Sequence, residues 1–183
     1  MSVTLHTTLG DVKIEVFCEA VPRAAENFLA HCAAGTYNGV LWHRNMAGFM
    51  VQTGDPTGTG KGGESIWGRP FDDEIRPTLK VRWRRLCSST RAAWWRWRRA
   101  DRTPTARRYA GRLTQFFITY SEQPHLNGKY TIFGKVIEGA ELGGTLEAIE
   151  KGPVDAKHRP VPEIRTESVT IHANPIAQKA MQM

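Results

Sequence analysis

The sequence contains no apolar run approaching the roughly 18 residues of a membrane span, and it has only three cysteines in 183 residues. The first absence predicts a chain outside the membrane. A small, odd cysteine count argues against a disulfide framework and indicates a reducing compartment. Residues 1–6 lack a basic stretch followed by an apolar one, so we expect no secretion signal. The expected location is the cytoplasm, the nucleus or both.

Metal and nucleotide motifs are also missing. No cluster of cysteine and histidine has zinc-ligand spacing. Residues 58–63 match G-x-G-x-x-G by letter, but Asp55-Pro56 precedes them and no helical pattern follows. The P-loop pattern fails because Gly62, rather than Ser or Thr, follows Lys61. We interpret this stretch as a glycine-rich surface loop.

The remaining composition is globular, with 40% apolar and 23% charged residues. Two helical patterns are present, one from Pro22 to near Gly35 and one through Leu142, Leu146 and Ile149. Many short strands with two isolated helices predict a mainly all-β fold, an antiparallel barrel or sandwich capped by helices. Alternating or apolar runs predict strands over residues 2–6, 12–17, 41–43, 49–53, 116–120, 130–136 and 168–172.

Positive charge is concentrated in one block. The net charge is +7, but residues 81–113 hold eleven arginines and a single acid, Asp101, which gives +10. The other 150 residues have 14 basic and 17 acidic side chains, or −3. Four of the six tryptophans also lie in the block. A slightly acidic domain is therefore interrupted by a basic, aromatic segment.

Residues 42–55 hold the most informative local pattern. In a strand, Phe49, Val51 and Thr53 would face one side, and Met50 and Gln52 the other. Arg44 stands just before a turn at residues 47–48. Taken alone, this convergence fits a core edge closed by a salt bridge as well as it fits a binding site.

Several motifs in one order resemble the cyclophilin peptidyl-prolyl isomerases. They are Arg44, the Gly48–Gln52 run with Gly54-Asp55, and residues 62–68, 115–118 and 133–136. The likeness covers residues 1–80 and 115–176. Within the family, residues 1–7, 123–126 and 170–178 are most similar to the short single-domain peptidyl-prolyl isomerase-like 3 type. The resemblance implies an eight-stranded closed antiparallel barrel capped by two α-helices, without metal or cofactor.

The implied chemistry is rotation about X-Pro bonds, which crosses a barrier of about 18–20 kcal/mol. The barrier is lost amide resonance, and twisting gives the proline nitrogen a lone pair. A catalyst needs an apolar pocket for the ring and a hydrogen-bond donor aimed at the twisted nitrogen, because that acceptor exists only in the transition state.

The resemblance also implies roles for individual residues. Arg44 is the expected donor, and Gln52 either orients Arg44 or holds a substrate carbonyl. The catalytic set is Arg44, Phe49 and Gln52. Phe49 is also expected to line the proline pocket, with the substrate-binding residues Met50, Phe117 and Leu126, while Gln115, His125 and Tyr130 line the groove.

Two of these positions depart from the common family pattern. Tyr130 stands where most members have histidine, and His125 where the best-known members have tryptophan. The tryptophan contacts cyclosporin in the family, so we do not expect strong cyclosporin binding. Expected partners are proline-containing peptides and proteins, with spliceosomal proteins as candidates. We expect a monomer that binds neither membranes nor nucleic acid.

The basic block replaces a strand and loop of the family. Codon degeneracy allows residues 88–108 to be encoded so that a one-base shift reads Phe-Asn-Ala-Arg-Gly-Met-Val-Ala-Met-Ala-Ala-Gly-Gly-Pro-Asp-Thr-Asn-Gly-Ser-Gln, the missing family segment. Residues 80–81, 87–88, 108–109 and 115 can spell splice signals. Our hypothesis is that residues 81–115 come from retained intron and out-of-frame exon. We then expect a cyclophilin-like domain over 1–176, interrupted by this segment, with a short tail over 177–183.

Such a replacement has a physical cost, because the charges of the block resist burial and neighbouring strands would lose their partner. An alternative origin is an evolved insertion that grips phosphates and stacks bases. Three functions remain open on the sequence: an isomerase that assists folding, a non-catalytic proline-peptide binding module in a spliceosome-type assembly, and a nucleic-acid binder through 81–113.

Overall fold

A computed structural model describes residues 1–79 and 113–172, together with the backbone of residues 86–89. Neither α-helix in these ranges has the length and apolar character needed to cross a membrane. The described residues form one eight-stranded sheet and two α-helices, α1 (Pro22–Ala33) and α2 (Thr145–Lys151). The strands are β1 (Ser2–Thr7), β2 (Gly10–Val16), β3 (Arg44–Met46), β4 (Met50–Thr53), β5 (Leu86–Ser89), β6 (Phe116–Thr119), β7 (Ile132–Glu138) and β8 (Thr166–His172).

All strand pairs are antiparallel, in the order β3-β4-β6-β5-β7-β2-β1-β8. The hairpin predicted at the N-terminus is confirmed as β1 and β2, with Thr7 opposite Gly10 at the turn. Antiparallel pairing lets one face of the sheet be buried while the other meets solvent. The eight strands and two helices confirm the mainly β architecture that the sequence predicts.

The two ends of the strand order approach each other. An antiparallel bridge joins Leu41, just before β3, to Arg165, just before β8. The Trp42 amide donates to the Ile164 carbonyl at 2.9 Å, and the Thr166 amide donates to the Val40 carbonyl at 3.0 Å. These bonds join residues 40–42, before β3, to residues 164–166 at the start of β8, and no bond joins β3 itself to β8 in the described residues. Closure of the whole sheet into a barrel stays a prediction.

The main core lies between the sheet and the apolar stripe of α1. Phe28 of that helix packs against three aromatic rings, with centroid separations of 5.4 Å to Phe116, 4.8 Å to Phe133 and 5.6 Å to Tyr37. Pro22 occupies the first turn of α1, where a missing amide hydrogen costs nothing. The helix supports the strand face opposite the candidate site.

Two element boundaries predicted from the sequence are wrong. Of the strand predicted over 41–43 only Leu41 is in β-pairing, as a single antiparallel bridge to Arg165, and β3 begins at Arg44. Leu142 does not join α2. It is 90% exposed and is followed by Gly143, whose φ of 76° a right-handed helix cannot include.

Most of the Arg/Trp-rich segment, and the tail over 177–183, lie outside the described residues. The backbone of β5 nevertheless pairs with both β6 and β7. The expectation that these neighbours lose their partner is therefore wrong for the four residues Leu86–Ser89. Nothing in this pairing tests where the coding sequence of the segment comes from.

Burial predicts a large difference between two identical substitutions. Leu5 in β1 is fully buried and Leu142 is 90% exposed. We expect Leu5→Ala to lower the free energy of unfolding by about 2–5 kcal/mol, because it removes buried methyl groups and leaves a cavity. Leu142→Ala should change it by less than about 0.5 kcal/mol. Urea unfolding of both variants measures the difference, and equal losses would contradict the assigned core.

Candidate active site

Three strands place Arg44, Gln52 and Phe117 in one row across the sheet. Arg44 lies opposite Gln52 in the β3–β4 pair, and Gln52 lies opposite Phe117 in the β4–β6 pair. Directly opposed residues of antiparallel strands share a face, with Cβ atoms about 4.5–5.5 Å apart. The register therefore assembles a cation, an amide and an aromatic ring on one face.

The side chains of the next row point to the opposite face of the sheet. Val51 lies opposite Ile118, and both are in the main core. Met50 belongs instead to a second apolar cluster, which we call the Met50 cluster. The prediction that Met50 and Val51 face opposite sides of a strand is confirmed. The same prediction is wrong for Phe49, which sits in the turn before β4 and packs against the Met50 cluster.

The Met50 cluster has a buried floor and a partly exposed edge. Its floor is Met50, Phe117, Leu126 and Ile132, each no more than 4% exposed. Phe49 and Tyr130 pack against the floor and are half-buried. The Tyr130 ring meets Phe117 edge to face, with centroids 5.4 Å apart. This arrangement forms an apolar surface beside the Arg44 row.

A short 3₁₀ turn, Pro124–Leu126, completes the cluster. It turns Leu126 into the floor and leaves His125 exposed. The His125 ring stacks on Phe49, with centroids 5.8 Å apart and planes inclined by 27°. His125 therefore lies at the rim beside Phe49, not in the apolar floor.

Two glutamines connect the Arg44 row to the glycine-rich loop. Gln52 donates from Nε2 to Oε1 of Gln115 at 2.9 Å. Gln115, only 1% exposed, donates in turn from Nε2 to the Gly62 carbonyl at 2.8 Å. Because Gln115 is buried and bonded at both ends of its amide, it restricts the orientation of Gln52.

The Arg44 side chain is half-buried, and burial lowers the pKa of its guanidinium. Arginine still remains charged at neutral pH, with five N–H donors. The neighbouring Asn45 points to the interior and fixes β3. Its Nδ2 donates to the Ile149 carbonyl at 2.7 Å, and its Oδ1 accepts from the Tyr120 hydroxyl at 2.7 Å. Burial raises the pKa of Tyr120, so this hydroxyl keeps its proton and donates.

Asp55 organises the glycine-rich loop. Its buried carboxylate accepts hydrogen bonds from the Thr57 hydroxyl and from the amides of Thr57, Gly60, Lys61 and Gly62. Burial alone would raise the pKa of Asp55, but these bonds lower it to about 2. A Cβ on Gly62 would lie 2.5 Å from the carboxylate, so only glycine allows this approach. The interpretation as a structured glycine loop holds, with Asp55 as its anchor.

All nine residues expected at the site lie in this one region of the described structure. Ile132, which belongs to the apolar floor, and the anchoring role of Asp55 were not predicted from the sequence. The anchoring role of Asp55 had a detectable signal in the sequence, because an aspartate followed by Thr and Gly is typical of side-chain-to-backbone turns. In the strand register Gln52, an amide, lies opposite Arg44.

The family model of cyclophilin-type peptidyl-prolyl cis-trans isomerases matches residues 2–171. The chain belongs to this family. It is 63% identical over 180 residues to peptidyl-prolyl cis-trans isomerase-like 3 of Mycosarcoma maydis, which covers 98% of both chains. It is 53% identical to the protein of that name from Homo sapiens, over 97% of this chain and 100% of the relative.

A solved cyclophilin supports the assignment. The crystal structure of a cyclophilin-type isomerase from Cryptosporidium parvum, obtained in the presence of the dipeptide Ala-Pro, superposes with a TM-score of 0.81. It is 46% identical in sequence and covers 95% of this chain and 100% of its own. Membership of the cyclophilin family makes this chain a peptidyl-prolyl isomerase by class, as the motifs predict.

The Asp55 anchor predicts a specific pH dependence. We expect Asp55→Asn to destabilise the fold at pH 7 by about 1–3 kcal/mol, because an amide presents N–H groups to buried N–H donors. A lowered pKa means that the carboxylate stabilises the fold above about pH 4 and loses that effect as pH falls toward about 2. The deficit of the variant should therefore shrink below pH 4.

Urea unfolding at a series of pH values between 7 and 2.5 measures this change. Asp11→Asn is the matched control. Asp11 is exposed and lies outside the glycine-rich loop, whose amides at Gly60, Lys61 and Gly62 donate to Asp55. A deficit for Asp55→Asn that is independent of pH would contradict the anchoring role of the charged carboxylate.

Proposed function

We propose that this chain catalyses cis/trans isomerisation of X-Pro bonds in proteins and thereby assists their folding. The observation that carries the proposal is the adjacency of a half-buried guanidinium, Arg44, to the apolar Met50 cluster across one row of the sheet. The reaction needs those two elements together. It requires neither a nucleophile nor a proton carrier, because no covalent bond forms or breaks.

In the proposed mechanism, the proline ring lies against the Met50 cluster, near Phe117. Twisting the X-Pro bond pyramidalises the ring nitrogen and gives it a lone pair, to which Arg44 donates. The planar amide of the ground state offers no such acceptor. The hydrogen bond therefore strengthens on the way to the transition state, which is the condition for lowering the barrier.

Gln52 is proposed to orient Arg44. One N–H of its amide is committed to Gln115, so its oxygen has a restricted direction. It lies directly across from Arg44 in the strand register. A guanidinium held by an acceptor on one side presents its remaining donors in fixed directions, which reduces the reorganisation needed at the transition state. We propose that Gln115 and the rim residues His125 and Tyr130 contact the substrate backbone.

The proposed substrates are proline-containing peptides and proteins. The related Cryptosporidium parvum structure, obtained with Ala-Pro present, supports this class. We further propose, on the resemblance to the isomerase-like 3 type alone, that the chain works as a monomer in the cytoplasm or nucleus, with spliceosomal proteins as candidate partners. A module that binds proline peptides without isomerising them is the alternative that the Arg44 experiment separates.

Replacing Arg44 tests the mechanism. We expect Arg44→Ala to lower kcat/KM for an X-Pro peptide by about 10²–10³-fold, because it removes the transition-state donor. Arg44→Lys should recover only a small part, since an ammonium keeps the charge but lacks the planar fork. A protease-coupled assay on a short Ala-Pro peptide measures both.

Arg23→Ala serves as the matched control, because Arg23 is an exposed arginine of α1. It should retain the parent rate. If the parent chain binds the peptide without turnover, and Arg44→Ala binds it with the same affinity, the binding-module alternative is favoured. Equal rates for the parent and Arg44→Ala would reject Arg44 as the donor.

We further propose that residues 81–115 lower the stability of the chain and with it the activity. The charge distribution supports this. Residues 81–113 have a net charge of +10 within a domain that is otherwise slightly acidic. A basic segment bordering a central strand position resists burial.

A reconstructed chain tests this second proposal. In it, the shifted-frame segment replaces residues 81–115. We expect the reconstruction to unfold cooperatively at a higher temperature than the present chain, by about 2–4 °C per kcal/mol gained. Circular dichroism melts measure the midpoints. Equal cooperative melting would contradict the proposed cost, and a transcript that encodes 81–115 in one unbroken exon would contradict the splicing hypothesis.

A further inference from the structure

A second concave region adjoins the Arg44 row, on the side away from the Met50 cluster. It is a cavity of about 460 Å³, and Arg44 and Gln52 form part of its wall. The remaining wall comes from the glycine-rich loop and from the loop between α2 and β8. Its charged and titratable lining includes Arg44, Lys61, Lys157, His158 and Arg159.

The cavity is strongly positive. Four of its lining residues are arginine or lysine, and within the described residues none is acidic. Two acids, Asp55 and Asp155, belong to the loops that form the wall. Asp55 accepts the amides of the glycine loop, and Asp155 accepts the backbone amides of Lys157 and Arg159 at 2.7 and 2.9 Å. Four basic side chains against these two carboxylates leave the wall with a net positive charge, which favours an anion from outside the chain.

His43 is a buried ring in the wall of the cavity. It is only 8% exposed, and within the described residues neither ring nitrogen makes a hydrogen bond of full geometry, although the Leu41 backbone is near enough to act on the ring as an acceptor. Buried polar groups are nearly always bonded to protein, water or ligand. The ring lies against the loop, since a Cβ on Gly60 would be 3.5 Å from Nε2.

The charge state of His43 fits a donor role. Burial lowers the pKa of His43 to about 4. Asp55 and a backbone hydrogen bond with Leu41 oppose this shift, and Arg159 and Arg44 add to it. A neutral imidazole carries one N–H donor and one acceptor. The donor can reach an anion in the cavity directly or through one water molecule.

We propose that this cavity binds an anionic side chain of the substrate, a carboxylate or a phosphate, located near the X-Pro bond in sequence. The inference rests on the proposed isomerase function, because Arg44 and Gln52 border both the cavity and the proline site. Consecutive Cα atoms are about 3.8 Å apart. A side chain two or three residues from the proline therefore reaches the cavity while the ring stays on the Met50 cluster.

The expected selectivity is modest, because Lys61, Lys157, His158 and Arg159 are exposed. Exposed ion pairs are individually weak and screened by salt. We expect an acidic peptide to exceed its neutral counterpart in kcat/KM by about five- to tenfold at low ionic strength. Phosphoserine, with its larger charge, should exceed glutamate. The advantage should decrease as salt is added.

The experiment compares peptides that have the same X-Pro bond. One series carries glutamate or phosphoserine two or three residues before or after the proline, and the reference series carries glutamine or serine there. The test variant is Lys157→Gln with Arg159→Gln, and Lys61→Gln is a second variant in a different loop. The matched control, Arg23→Gln with Lys135→Gln, removes the same charge from exposed positions outside the cavity.

Support would be an acidic preference in the parent and the control that falls to within about twofold in the test variants, with turnover of neutral peptides unchanged. Equal rates for acidic and neutral peptides would overturn the proposal. A loss of preference that is equal in the control would also overturn it, since net charge would then explain the effect. Binding of a short RNA through Lys157 and Arg159, without any gain for acidic peptides, would overturn the proposal too.

Fluorescence anisotropy of the same labelled peptides separates this proposal from the isomerase function. If neutral peptides are not turned over, the proposed function fails, but the binding series still measures the cavity. A five- to tenfold tighter dissociation constant for acidic peptides, lost in the test variants, would then support anion binding alone. Equal dissociation constants would reject it.

Discussion

The two-residue alternation of the β3-β4-β6 ladder is the constraint on which the rest of the site depends. One row, with Val51 and Ile118, turns inward to the core that α1 covers. The neighbouring row, with Arg44, Gln52 and Phe117, turns to the other face. A shift of one residue in this register would bury the guanidinium and expose the core. Packing of the core and assembly of the site are therefore one requirement.

Buried polar groups stabilise this arrangement from behind. Asn45 links β3 to α2 and to Tyr120, Gln115 links β4 to the glycine-rich loop, and Asp55 holds that loop together. Each of these side chains is at most 2% exposed and hydrogen-bonded. Polar networks of this kind restrict conformational freedom where they are fully satisfied. They explain how a site on short strands can hold Arg44 in a defined direction.

Much of the fold was predictable, because alternation and helical periodicity are local signals. The hairpin of β1 and β2, helix α1 and the opposite facing of Met50 and Val51 follow directly from the sequence. The failures involve long-range competition. Residues 40–42 bond to residues 164–166, more than a hundred positions away, and no local pattern reports that. Leu142 continues a helical stripe by spacing, but the positive φ of Gly143 ends it.

The site residues themselves were predictable mainly through resemblance, since an arginine near a glutamine and a methionine has no specific meaning in isolation. The positive cavity was not predictable in the same way. Lys61 and Arg159 are almost a hundred residues apart in sequence and meet only because two loops flank the Arg44 row. Along the sequence, positive charge is concentrated instead at residues 81–113, where the density of arginine is highest.

The most direct test of the central claim is NMR on one sample, the methyl-labelled chain with an excess of an unlabelled X-Pro peptide. Exchange spectroscopy follows the cis and trans forms of the peptide while the methyl signals of Met50 and Leu126 report contact. The account predicts cis–trans exchange cross-peaks together with shifts of both methyl signals. Shifts without exchange cross-peaks would contradict catalysis, and exchange without shifts would contradict the location of the site.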